Sequence, residues 1–184
     1  VEAAEKIVAT ADATGFNART LAKLSGYSLG ALVQRLGKVE NIFLHAIAYG
    51  RTRKIQEASD LCESFDPNKT AEDFAEFVVS FSLDEIPKVG PSIIRYYESR
   101  AMGRTQNVGD LHAYTDEIVP ALLKVIERDQ SGTFRQISPY EAKYLARAIF
   151  LFVERPFAES DPMAGTEQHR KMAVAQISAL LKKP

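Results

Sequence analysis

Apolar side chains recur at three- and four-residue spacing along almost the whole chain. This spacing places them on one face of an α-helix. Strict alternation of apolar and polar residues with a hairpin turn, which a half-buried β-strand requires, is found nowhere in the sequence. We therefore predict an all-α fold of about nine helices, with no internal repeat and no low-complexity segment.

Capping and turn residues set the expected helix boundaries. The clearest start is Ser138-Pro139-Tyr140-Glu141, which combines an N-cap serine, a proline at the first helical position and a capping-box glutamate. The predicted helices cover residues 1–14, 18–25, 28–36, 39–62, 92–103, 108–130, 138–155 and 166–182, with one more that begins at Thr70 and ends before Pro87. Pro120 is expected to kink its helix, and Met172, Ala173, Ile177, Leu180 and Leu181 are expected to face inward on the last one.

The composition excludes several classes of protein. A chain of 184 residues that is 46% apolar and 26% charged is neither disordered nor collagen-like, and its one cysteine, Cys62, cannot form an internal disulfide. A lone thiol is typical of a reducing compartment. Because no apolar run approaches the roughly 18 residues of a membrane span, we expect a cytoplasmic protein without a membrane partner.

Residues 18–35 have the form of a helix-turn-helix. A short amphipathic segment is followed by a tight turn at Gly26 and by a second short segment that begins at Ser28. A helix that enters the major groove must be short, capped and free of bulk at its N-terminus, and Gly30 and Ala31 meet that need. A helical hairpin that only packs inside the protein would show the same spacing, so both interpretations stand at this point.

The net charge of −1 hides an asymmetry. Residues 1–54 carry eight basic and four acidic side chains, whereas the remaining residues carry 15 basic and 20 acidic ones. A basic N-terminal third joined to an acidic remainder is typical of a DNA-binding head on a regulatory body.

The N-terminal segment resembles the DNA-binding domain of the tetracycline-repressor (TetR) family. The matching residues are Ala3–Ala4, the run LAKLSGYSLGAL at 21–32 and the run GKVENIF at 37–43. Ser131–Arg135 is similar to an element that precedes the last two helices of that family. The resemblance implies a helix-turn-helix domain at 1–43, a connecting helix at about 39–62, and a ligand-binding and dimerisation domain at 44–184.

The resemblance also implies which residues contact DNA. The base-reading positions would be Leu29, Gly30, Ala31 and Gln34. The backbone contacts would be Arg19, Lys23, Ser28, Arg35 and Lys38. Among the base-reading positions, only Gln34 has a side chain that pairs bidentately with adenine.

Three positions depart from the family pattern. Val33 stands where the family has a tyrosine, Leu36 where it has an aromatic residue, and Val39 where it has a lysine. Valine cannot donate a hydrogen bond to phosphate, and phosphate contacts supply much of the affinity for DNA. The alternative is therefore a ligand-binding or protein-interaction module of the same fold that has lost specific DNA binding.

The middle and last helices carry the expected regulatory sites. By resemblance, a pocket for an apolar or aromatic effector would be lined by Phe74, Phe77, Val78, Phe81, Ile94, Tyr97, Tyr114, Ile118 and Leu122. Aromatic stripes at helical spacing also fill ordinary cores, and that alternative stays open. A homodimer through the last two helices would use Ala142, Leu145, Ala146, Ile149, Ala173, Ile177 and Leu180.

No pattern of catalytic chemistry stands out. His112 and Asp116 lie four residues apart, but exposed acid–histidine pairs on helices are commoner than metal sites. A glycine-rich phosphate loop, a CxxC motif and a nucleophile elbow are all missing from the sequence. We expect no enzyme, cofactor or metal, and predict a ligand-responsive transcriptional regulator, a repressor, that binds a pseudo-palindromic operator as a homodimer.

Overall fold

Helices make up nearly all of the regular structure in the computed structural model, which describes residues 2–8, 16–36, 38–101 and 113–184. The helices are α1 (Glu2–Val8), α2 (Ala18–Ser25), α3 (Leu29–Leu36), α4 (Val39–Glu63), α5 (Ala71–Val89), α6 (Pro91–Ala101), a 3₁₀ helix (Ala113–Ile118), α7 (Val119–Glu127), α8 (Pro139–Glu159) and α9 (Glu167–Leu181). Within these ranges no strand forms, and one isolated bridge pairs Phe134 with Lys182. The all-α prediction of about nine helices is confirmed.

The predicted helix starts are confirmed where a capping side chain is present. At α8, the Ser138 hydroxyl accepts from the Glu141 backbone N–H at 3.2 Å, and the Glu141 carboxylate accepts from the Ser138 N–H at 2.8 Å. At α9, the Thr166 hydroxyl accepts from the His169 backbone N–H at 3.3 Å. Such caps satisfy N–H groups that have no partner inside the helix.

Prolines end fewer helices than the sequence predicted. Helix α5 continues past Pro87 to Val89, and α8 continues past Pro156 to Glu159. Each proline lies in the last turns of its helix. Pro120 does not kink a helix but lies in the first turn of α7, where the missing N–H costs nothing. The predicted helix at 108–130 is thus a 3₁₀ helix followed by α7, and residues 102–112 lie outside the described part.

Met172 and Leu180 were expected to face inward, and this was wrong. Both are exposed on α9, whereas Ala173, Ile177 and Leu181 are buried as predicted. None of the described helices has the length and the apolar character needed to cross a membrane.

The chain divides into two compact units. The first contains Val1–Arg51 and Pro87–Leu111, and the second contains Thr52–Ile86 and His112–Pro184. Helices α4 and α5 therefore contribute residues to both. The predicted boundary after residue 43 differs from this division, because the first unit also takes in α6.

The core of the first unit forms where α1, α2, α3 and α4 meet. It contains Ala4, Ile7, Leu21, Leu32, Phe43 and Ala46. The Phe16 ring stacks on Phe43 at 4.5 Å between centroids and meets Tyr96 of α6 edge-on at 4.7 Å. The Arg51 guanidinium lies 4.6 Å above the Tyr97 ring. These contacts connect α6 to α4 and to Phe16, which precedes α2.

The core of the second unit contains a cluster of aromatic rings. Phe74 is buried and packs against Phe65 at 5.0 Å and Phe134 at 6.0 Å between centroids. Phe77 lies 5.7 Å from Phe65. The loop before α8 joins this core because Phe134 is buried against Phe74, and within the loop the Asp129 carboxylate accepts from the Phe134 N–H.

Candidate nucleic-acid interface

The turn between α2 and α3 depends on one glycine. Gly26 has φ of 72°, in the left-handed region, and its N–H donates to the Ala22 carbonyl at 3.0 Å. Glycine adopts this conformation without steric cost, which explains why α2 stops here. At the other end of α2, the Asn17 side chain accepts from the Thr20 N–H at 2.9 Å.

Helix α3 begins at a serine cap. The Ser28 Oγ accepts from the Ala31 N–H at 3.2 Å, and the Ser28 carbonyl accepts from the Leu32 N–H at 3.1 Å. The cap uses the oxygen of Ser28 as an acceptor, so its hydroxyl proton can donate to a phosphate. The sequence therefore forms a short helix whose first turn is held by hydrogen bonds to Ser28.

One face of α3 packs inward and the opposite face meets solvent. Leu32 is buried beside Leu21 in the core of the first unit. The exposed residues of α3 are Leu29, Gly30, Val33 and Gln34. Their spacing of i, i+1, i+4 and i+5 places them together on one side of the helix, which we call the outer face of α3. Ala31, also predicted to contact bases, is half-buried.

Exposed basic side chains lie on the segments that flank α3, with Arg19 and Lys23 on α2 and Lys38 before α4. Arg19, Lys23 and Lys38 are exposed, and none of them forms an ion pair with the side chains that the structure describes. The side chain of Arg35 lies outside the described part. A cation without an acidic neighbour keeps its full capacity to attract phosphate.

The outer face of α3 exposes more apolar side-chain surface than we expected from the sequence. Leu29 is 48% exposed and Val33 is 51% exposed, and Tyr27 in the turn is 54% exposed. Sequence reasoning treated Val33 only as a lost phosphate contact. The four-residue spacing of Leu29 and Val33 places them on one side of α3, but nothing in the sequence indicated that this side is exposed, because Leu29 also lies three residues from the buried Leu32.

No described residue packs against the position where a side chain at Gly30 would stand. A Cβ built on it meets nothing within 4 Å, and its φ is not in the left-handed region. A glycine within a helix lowers helix stability relative to alanine. Packing among the described residues therefore gives no reason for a glycine at this position.

The residues predicted to form an effector pocket belong to both units. Ile94 and Tyr97 are buried in the first unit. In the second unit Phe74, Val78, Ile118 and Leu122 are buried, and Phe77 and Phe81 are partly exposed. The Tyr114 side chain lies outside the described part. The buried members fill cores, while Phe77 and Phe81 keep accessible apolar surface on α5.

The second unit has a groove that contains none of the residues predicted to line the effector pocket. It has a volume of about 490 Å³ and is lined by Glu72, Glu76, Lys171, Val174, Ala175, Ser178, Ala179 and Lys182. Ion pairs join its two walls: Lys182 Nζ lies 2.5 Å from the Glu72 carboxylate, and Arg170 pairs with Glu76. Sequence reasoning missed this groove because its walls are charged or small rather than aromatic.

The residues predicted to form a dimer contact mostly pack within the chain. Ala142, Leu145, Ala146, Ile149, Ala173 and Ile177 are at most 5% exposed, and Leu180 is the exposed member of that set. The large apolar side chains that α8 and α9 do expose are Tyr140, Tyr144, Leu151, Met172 and Leu180. We call these five the outer face of α8 and α9.

Groups suited to other chemistry are sparse in the described residues. No cluster of three or more His, Cys, Asp or Glu side chains that could hold a metal occurs among them, and His112 lies outside that part. Cys62 is buried, and this burial raises the pKa of its thiol to about 12. A thiol with so high a pKa is not a nucleophile near neutral pH.

Comparison with known proteins identifies no relative. No protein-family model matches the chain, and no curated protein or solved structure matches it either. The likeness to the TetR family thus rests on the sequence motifs described above.

Proposed function

We propose that this protein is a DNA-binding transcriptional regulator, a repressor, whose α3 enters the major groove. The observation that supports this most is the outer face of α3. Helix α3 is short and capped by Ser28, and its outer face is uncharged and includes Gly30, which leaves open space. Exposed cations lie on α2 and before α4. This combination suits a helix that enters the major groove.

The cations would contact the DNA backbone, and the outer face of α3 would contact the bases. The exposed Arg19, Lys23 and Lys38 would contact phosphates, which would fix the position of the protein on DNA and supply affinity that depends on salt. Gln34 and its neighbours on α3 would contact base edges, which supplies the sequence preference.

A homodimer completes the proposal, because two heads related by a two-fold axis match two half-sites about one helical turn apart. The outer face of α8 and α9 supports it. Tyr140, Tyr144 and Leu151 share one side of α8 by their spacing, and Met172 and Leu180 are exposed on α9. A second copy of the chain would therefore cover large apolar side chains that otherwise meet water.

Control by an apolar or aromatic effector is the remaining part of the proposal. Phe77 and Phe81 on α5 keep accessible aromatic surface that suits such a ligand. If the effector weakens operator binding by some factor, then the operator weakens effector binding by the same factor. Calorimetry with and without operator DNA tests that equality for any compound that raises the melting temperature of the protein.

The main experiment selects operators from random duplex DNA with the full chain and then measures affinity across a salt series. The test variant is Lys23→Gln with Lys38→Gln, and the matched control is Lys69→Gln with Lys171→Gln, two exposed lysines of the second unit. We expect a palindrome to be enriched. The slope of log K against log salt should fall by about 1.8 in the test variant and stay unchanged in the control.

Failure to enrich any palindrome, together with equal salt slopes for both double variants, would contradict the proposal. That outcome would support the second candidate function, a protein-interaction module. The half-exposed Leu24 and Tyr27 beside the outer face of α3 are the observation that favours this second candidate.

The dimer is tested separately by light scattering on the eluting protein. We expect twice the 20.4 kDa chain mass for the unmodified protein and a single chain mass for Leu151→Glu. Leu61→Glu on α4 introduces the same charge at an exposed leucine outside that face and should remain dimeric. A Leu151→Glu variant that stays dimeric would show that the outer face of α8 and α9 is not the contact.

A further inference from the structure

We infer that the outer face of α3 recognises thymine methyl groups, so that the operator half-site is read mainly at A·T pairs. This inference rests on the proposed DNA binding and specifies what kind of DNA sequence the same site takes. In this inference Val33 and Leu29 both contribute to sequence specificity.

The chemistry of the Leu29 and Val33 side chains limits which base edges they can recognise. Leu29 and Val33 have no hydrogen-bond donor or acceptor, yet about half of each side chain is exposed on the outer face. In the major groove, thymine is the base that presents a methyl group, at C5. An aliphatic side chain against that methyl removes apolar surface of both partners from water, which is favourable.

The polar member of the face points to the same base pair. Gln34 is exposed beside Val33, and a glutamine amide pairs bidentately with the N6 and N7 atoms of adenine. Guanine is contacted most often by arginine or lysine. The outer face, Leu29, Gly30, Val33 and Gln34, contains neither. Its side chains therefore match the two halves of an A·T pair and leave guanine without its usual partner.

Gly30 allows the close approach that methyl contacts need. Van der Waals attraction requires carbon atoms at about 3.5–4.0 Å, and it weakens steeply with a gap. With no side chain at Gly30, and nothing of the chain within 4 Å of where one would stand, the helix backbone can come near the floor of the groove.

Charge favours DNA over an apolar protein partner for this face. Exposed Arg19 and Lys23 on α2 and Lys38 before α4 flank α3 in the sequence, and none of them is neutralised by a side chain that the structure describes. Those cations complement a polyanion, whereas a purely apolar partner surface would leave them without partners.

The test replaces thymine by uracil, one position at a time, in the operator selected with the full chain. Uracil keeps the base pair and loses only the C5 methyl. We expect binding to weaken about fourfold at each contacted thymine, the effect of losing one buried methyl-sized group. Val33→Ala should abolish the uracil penalty at one symmetric pair of positions, and Leu29→Ala at another, while Leu61→Ala on α4 should change no penalty.

Circular dichroism of each variant shows whether α3 remains folded, and the unmodified protein on uracil DNA gives the result without any substitution. Uracil penalties that are the same in the unmodified protein and in both α3 variants would overturn the inference. An operator that is selected but is insensitive to uracil would overturn it too, while the proposed DNA binding would stand. If no operator is selected, both proposals fall.

Discussion

Replacing Gly30 by alanine separates the needs of the fold from the needs of DNA binding. The backbone at Gly30 is helical rather than left-handed, and a Cβ there would meet no atom within 4 Å. Alanine therefore fits without strain. Substitution of glycine by alanine at such a position stabilises a protein by about 0.4–1 kcal/mol, chiefly because the unfolded chain has fewer conformations.

Gly50 is the matched control. It lies in α4, also has a helical backbone, and also has open space around the position of a Cβ. For a chain of this length, a gain of that size raises the melting temperature by about 1–4 °C. Thermal unfolding followed by circular dichroism should show this rise for Gly30→Ala and for Gly50→Ala alike.

The two variants should differ in DNA binding. The methyl group at position 30 would stand between α3 and the groove, and a surplus group in a close contact costs about 1–3 kcal/mol, or five- to 150-fold in Kd. Fluorescence anisotropy with the selected operator should show this loss for Gly30→Ala and no loss for Gly50→Ala.

Two results would refute the reasoning. If Gly30→Ala lowered the melting temperature, the open space around Gly30 would be filled by the chain in solution. If Gly30→Ala bound the operator as tightly as the unmodified protein, α3 would not approach DNA through this face.

Three further predictions concern the second unit. Phe74→Ala should lower the free energy of unfolding by about 3–5 kcal/mol in denaturant titration, because the ring is 1% exposed among other aromatic rings. The Ser138 backbone N–H and then the Arg135 guanidinium hold the pKa of Glu141 at about 2, below its ordinary 4.5, so the cap of α8 should contribute stability above pH 4.5 and lose it as pH falls toward 2. The stability difference between the unmodified protein and Glu141→Gln, measured by denaturant unfolding, should accordingly be present at pH 5 and vanish near pH 2. Burial raises the pKa of Cys62 to about 12, so a thiol reagent at pH 8 should label it only as fast as the protein opens, with a denaturant midpoint equal to that of unfolding; rapid labelling of the folded protein would contradict this.

Local signals in the sequence were enough to predict the helix-turn-helix segment and the start of α8. Gly26, Ser28 and the Ser138–Glu141 pair act through the backbone of residues within one turn of themselves. Their effect does not depend on distant parts of the chain, so the predicted bounds of α2 and the capping box are both found in the structure.

The sequence by itself determined the all-α fold and most helix starts, because periodicity and caps are local properties of the chain. Tertiary structure decided which apolar stripe of a helix is buried. Helix α9 has apolar residues on two sides, and packing buries Ile177 while leaving Met172 exposed. It likewise decided that Val33, an apolar residue in an apolar segment, faces solvent, since Leu32 already occupies the inward position on α3. A side chain's partners lie far away in sequence, so its direction follows from packing and not from its own residue type.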